Sequence, residues 1–113
     1  MATAIFVHEG GMVDYTPSSN VAAGDVVVQG ELVGVAKQPI AADALGALAV
    51  QGVFDFPKAT GGATAIAAGA LLHWDAANEL ATTDADGGAN KLIGKSVAAA
   101  GDGDATVRIR LDQ

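Results

Sequence analysis

The chain has no cysteine among its 113 residues. It therefore has no disulfide frame, no thiolate metal site and no cysteine nucleophile. Its only two histidines are His8 and His73. No HxH or HxxxH spacing is present, so a histidine-based metal centre has no support. Lys and Arg number six against thirteen Asp and Glu, a formal net charge of -7. That balance excludes sequence-independent nucleic-acid binding, which needs clustered cations to displace counterions. It also excludes docking to an anionic membrane surface. No run reaches the ~18 consecutive apolar residues of a membrane-spanning helix. Met1-Ala2-Thr3-Ala4-Ile5 lacks a basic segment followed by a long apolar run, so no signal peptide is expected and synthesis in the cytosol is. Aromatics are only 4%.

Half of the residues are apolar, but much of that half is alanine. An alanine buries little area, well short of the ~1.5–3 kcal/mol of a large apolar side chain. The length suits a single domain over residues 1–113. A thin core of this kind predicts modest monomer stability, or an oligomer that shares its burial.

The organising stretch runs from Ala65 to Val97. Ala67-Ala68-Gly69 makes a small-residue corner, and Ala70-Leu71-Leu72-His73-Trp74 reads as the strand after it. Leu92-Ile93-Gly94 opens a second strand. The same grammar occurs earlier, with Val21-Ala22-Ala23-Gly24 before Asp25-Val26-Val27-Val28, then Leu32-Val33-Gly34-Val35. This predicts an internal duplication, with an N-terminal segment 1–20 as a docking arm and related halves 21–64 and 65–113.

The remaining strands follow from alternation and turn chemistry. Ile5-Phe6-Val7-His8 reads as a first short strand, broken by Gly10-Gly11, and Met12 to Tyr15 as a second. Gly30-Glu31 is a hairpin connection. Leu45 to Val50 reads as a strand after a corner at Ala42-Asp43, with a short helix as its alternative. Phe54 and Phe56 share one face of a strand that Pro57 ends or leaves at an edge. Ala70, Leu72 and Trp74 share a face, with Leu71 and His73 opposite. Thr106 to Leu111 alternates most regularly: Val107, Ile109 and Leu111 inward, Arg108 and Arg110 outward. The expected fold is all-β, a small sandwich or barrel of about eight to ten short strands with two related halves.

Catalytic chemistry finds no footing. Ser18, Ser19 and Ser96 lie in no G-x-S-x-G elbow, and no segment matches a phosphate-binding P-loop. Asp84-Ala85-Asp86-Gly87 and Asp102-Gly103-Asp104 bring carboxylates together, but turns favour Asp for backbone reasons and the full calcium loop is absent. No metal, cofactor or catalytic residue is assigned, and the chain is not read as an enzyme. Arg108 and Arg110 form an outward pair that suits an acidic patch on a partner. The simpler reading is a solvated face that blunts an edge.

Several runs together carry a family resemblance. They are Gly24-Asp25-Val26-Val27-Val28, Leu32-Val33-Gly34-Val35-Ala36, Gly52-Val53-Phe54-Asp55-Phe56-Pro57-Lys58-Ala59, Trp74-Asp75-Ala76-Ala77, Leu92-Ile93-Gly94 and Gly103 to Leu111. In this order the chain resembles the capsid cement, or head decoration, proteins of tailed bacteriophages. Some members of that family bear a RecA/RadA recombinase label, which this acidic chain without a nucleotide loop does not fit. The resemblance implies a structural protein of the virion, on the outer capsid surface, binding the major capsid protein and bridging its subunits. It implies a homo-oligomer, a trimer ahead of a dimer, with no nucleic acid and no membrane as partner. The N-terminal segment Ala2 to Val13, with Ile5, Phe6 and Val7, is the expected docking element, alongside Arg108 and Arg110. The alternative is a virion or tail surface domain that binds host carbohydrate or a receptor. Such a domain would expose Trp and Tyr, and the chain has one of each. A small metal-dependent enzyme is a further rival.

Overall fold

Strand pairing starts from local turns. Gly30, at a φ of 62°, supplies the positive angle that a two-residue hairpin turn with glycine first demands. The turn joins β2 (Val26–Gln29) to β3 (Leu32–Val35) in antiparallel register, Val26 opposite Val35. The computed structural model describes residues 3–113. Its nine strands also include β1 (Met12–Tyr15), β4 (Gly46–Ala49), β5 (Gly52–Pro57), β6 (Leu71–Asp75), β7 (Leu80–Thr82), β8 (Lys91–Ser96) and β9 (Thr106–Leu111). One short 3₁₀ turn covers Asp86–Gly88.

The strands form two antiparallel sheets, ordered β1-β4-β3-β2 and β5-β9-β8-β6-β7. The all-β expectation resolves to a small sandwich: the first sheet is open, while in the second Lys58, just after β5, bridges Ala81 of β7 and draws the two outer strands together. In each sheet the first strand lies beside the last, and β7 is an added hairpin arm outside β6. The expected halves 21–64 and 65–113 follow the repeated sequence units. The sheets change elsewhere, between Ala49 and Gly52. β5 joins the second sheet because six of its residues pair with β9 and Phe56 packs edge-on against Trp74, ring centroids 6.0 Å apart.

The repeated corners have one geometry. Val21 bridges Ile40 in the first half, and Ile66 bridges Ala100 in the second. Each bridge residue precedes a tight turn and then a strand. The core is unequal. Eleven buried residues, among them Phe56, Leu72, Trp74, Ile93, Ile109 and Leu111, form one cluster mainly from the second sheet. Val35 of β3 belongs to it, and Val26 of β2 packs against it. The first sheet's own cluster holds only three buried residues, Ala36, Ile40 and Leu48.

One expectation needs correction. Ile5 to His8 is not a strand. Its apolar residues satisfy strand propensity, but no neighbouring strand supplies hydrogen-bond partners, and among the described residues no backbone–backbone hydrogen bond engages residues 3–10. The segment after Pro39 is a strand, as preferred over helix. Gly46 is needed there because a Cβ would lie 2.7 Å from the Ile40 side chain.

Gly94 carries the tightest constraint. A Cβ on it would stand 2.0 Å from the backbone oxygen of Arg110 on the adjacent strand. Gly34 occupies the equivalent strand of the first sheet, with Leu48 Cβ 2.8 Å from its would-be side chain. Gly94→Ala is expected to destabilise by about 3 kcal/mol, since overpacking here meets backbone. That lowers the melting temperature by roughly 12 °C or more in a domain of this size. Gly103→Ala, with open space around it, is the control and should melt as the wild type does.

Candidate functional site

The docking segment expected at Ala2 to Val13 begins with Ala2, which lies outside the described residues. From Thr3 to Gly10 it is an arm without strand pairing, and Met12 and Val13 already belong to β1. Ile5, Phe6 and Val7 are 88%, 76% and 81% exposed. Three adjacent large apolar side chains in water are unfavourable by ~1.5–3 kcal/mol each relative to burial. Together they form an exposed apolar cluster on the arm.

Arg108 and Arg110 lie on a different part of the molecule. Alternation turns both outward from β9, as expected. β9 is an interior strand between β5 and β8, so the pair does not blunt an edge. Asp55 faces Arg108 from β5 and accepts from its Nε at 2.9 Å and from a terminal nitrogen at 3.1 Å. That hydrogen bond holds the Asp55 carboxyl below its ordinary value and raises Arg108 above its own. Arg110 reaches Asp112 at 3.4 Å. The pair is thus partly neutralised from within the chain. The arm and the arginine face are separate sites, and nothing brings them together.

The other candidates serve the fold. Asp102 Oδ1 accepts from the N–H groups of Thr64 and Ala65, Asp104 Oδ2 from that of Gly101, and Asp84 Oδ1 from that of Asp86. These carboxylates hold turns. His8 stands exposed on the arm, and His73 is part-buried on β6 opposite Thr82 and Leu92. Trp74 is buried, and Tyr15 packs against the smaller cluster. The Trp74 ring is therefore not exposed as a platform for a sugar, and Tyr15 is half-buried.

Lys58 escaped sequence reasoning. It is only 4% exposed, and its Nζ donates to the carbonyl oxygens of Ala59, Gly101 and Asp104 at 2.7, 3.0 and 2.9 Å. A buried ammonium persists only when its donors are met, and three carbonyls meet them here. A lysine after Phe-Pro gives no signal of such burial. Gln113 was also missed. Its side-chain amide accepts from the Val33 N–H at 2.7 Å and donates back to the Val33 carbonyl, clasping the chain's end to β3.

The molecule is thus a two-sheet β fold whose turn carboxylates are engaged by its own backbone N–H groups and whose unpaired arm exposes Ile5, Phe6 and Val7. The family model for phage cement protein matches residues 7–111. The chain belongs to that family, and its role is a structural one on the phage capsid. No curated protein and no solved structure matches it.

The Asp55–Arg108 pair predicts a pH signature. A carboxyl held below its ordinary value stabilises the fold above that value and loses its effect as pH falls through the folded one. The melting-temperature gap between wild type and Asp55→Asn should be constant near neutrality and close as pH drops below 3.8, the ordinary value. Both side chains are substantially exposed, so the gap should also shrink in high salt.

Proposed function

We propose that the chain binds the outer surface of an assembled phage head and braces neighbouring major capsid subunits there. The observation that carries the reading is the family match over nearly the whole chain. The physical features support it. Cementing needs many copies of one modest contact, because avidity across a lattice multiplies weak affinities. A chain with a thin core in its first half gains from sharing burial with neighbours. In this reading the protein works as a homo-oligomer, a trimer ahead of a dimer. It performs no catalysis.

The proposed contacts are Ile5, Phe6 and Val7 on the arm, with Arg108 and Arg110 as the electrostatic face. The arm ranks first, because its apolar surface has no partner in the chain. The arginines rank second, because Asp55 and Asp112 already hold them.

Removing residues 2–7 should abolish capsid binding and leave a folded, soluble protein. Cryo-electron microscopy of expanded capsids incubated with each form reads the outcome. Ordered density on the outer lattice is expected for the full chain and not for the truncation. A bare head with density at the tail would favour the receptor-binding alternative. Unchanged decoration by the truncation would remove the arm from the contact.

A further inference from the structure

A sheet edge without a partner strand is a template for one, and proteins blunt such edges with charge, proline, shortness or cover. Among the described residues the sheets have four edge strands, namely β1, β2, β5 and β7. Three of them are blunted. β1 carries Asp14, and β5 carries Asp55 and ends at Pro57, which has no N–H to offer. β7 is three residues long, and Ala81 on it is bridged by Lys58.

β2 is the exception. Val26-Val27-Val28-Gln29 has no charge and no proline. The turn at Gly30-Glu31 closes on the Gln29–Leu32 pair, which therefore exchanges both its hydrogen bonds. Alternation then pairs Val27 inward and turns the N–H and C=O of Val26 and Val28 outward. The Asp25 carbonyl accepting from the Ala36 N–H at 3.0 Å fits that phase. Both faces of the edge are apolar. Val26 packs toward the large cluster, Val27 packs against the small one, and Val28 is 37% exposed.

The chain also holds one apolar segment without a strand partner, Ala4-Ile5-Phe6-Val7-His8. As a strand it would place Ile5 and Val7 on one face and Phe6 on the other. An edge apolar on both sides matches a strand apolar on both sides.

We propose that this arm adds as a further strand along β2 of a second copy of the chain. The same chain's β2 is a poor recipient. β1 and β2 are opposite edges of their sheet, so an arm leaving β1 would have to reach one strand beyond β2, four strand spacings or about 19 Å away. Crossing uses about six residues at ~3.3 Å each, and Phe6 and Val7 would be spent on the way. A second copy imposes no such crossing. Every copy carries one arm and one open edge, so head-to-tail exchange closes into a ring or a reciprocal pair. The inference rests on the cementing reading and refines it: the arm's apolar contact is made with a neighbouring copy, and its part in capsid binding runs through the oligomer. Loss of the arm then weakens capsid binding by dissolving the oligomer and its avidity.

The test is made in solution without capsids, so its failure leaves the capsid reading standing. The full chain is sized by sedimentation equilibrium beside Phe6→Asp and Val28→Pro. The first places a charge on the arm. The second removes an outward N–H while leaving the pairing of β2 with β3 through Val27 and Gln29. The wild type should sediment as a multiple of 11.1 kDa, and both variants as single chains with unchanged circular dichroism. If Val28→Pro misfolds, Phe6→Asp decides alone, because Phe6 lies outside every strand. The absence of native cysteine allows a direct check. Mixing Val28→Cys chains with Phe6→Cys or with Val7→Cys chains should give an oxidised heterodimer with one arm position, since one of the two shares a face with residue 28. A monomeric wild type overturns the proposal. So does an oligomer that survives Phe6→Asp, or a mixture that forms no heterodimer with either arm position.

Discussion

Alanine and glycine leave this chain little side-chain area to bury, so backbone pairing has to carry the fold. All nine strands are antiparallel partners, and the corners between them are held by backbone bridges at Val21–Ile40 and Ile66–Ala100. A backbone hydrogen bond contributes only about 0.5–1.5 kcal/mol net, but an unmade buried one costs more. Small residues make the close approaches possible. Gly34 and Gly94 sit where any side chain would strike the next strand. Asp side chains at the turns serve the same economy by accepting from loop N–H groups.

That constraint divides the molecule unequally. The second sheet holds most of the large buried side chains. The first sheet's own cluster holds three buried residues, and the sheet leans on the second through Val35 and Val26. The Gln113 clasp to Val33 and the Lys91–Glu31 ion pair at 3.0 Å tie the two together at their margins. The same sheet ends in the open β2 edge. The half least able to bury itself is the half with room to accept another chain.

Much of the fold was legible in the sequence where a local rule decides. Strict alternation marks Thr106 to Leu111, and Ala70, Leu72 and Trp74 share the buried face that the spacing requires. Glycine first in a two-residue connection marks the β2–β3 hairpin. What was not legible depends on pairing between distant residues. Ile5 to His8 has strand composition, but a strand needs a neighbour and the chain provides none. The assignment of β5 to the second sheet rests on Phe56 meeting Trp74. The outward aim of Arg108 and Arg110 was readable from period two. The carboxylate that meets Arg108 was not, because Asp55 lies 53 residues away in sequence. Family resemblance rested on the order of many short runs, and no single site residue announced the role.

Lys58 has a consequence for the corner it closes. Where loops of acidic and carbonyl oxygens converge, many proteins recruit a metal ion from solution to cancel the charge. Here the positive centre is covalently part of the chain and sits on the carbonyls of Ala59, Gly101 and Asp104. That corner draws on no reservoir.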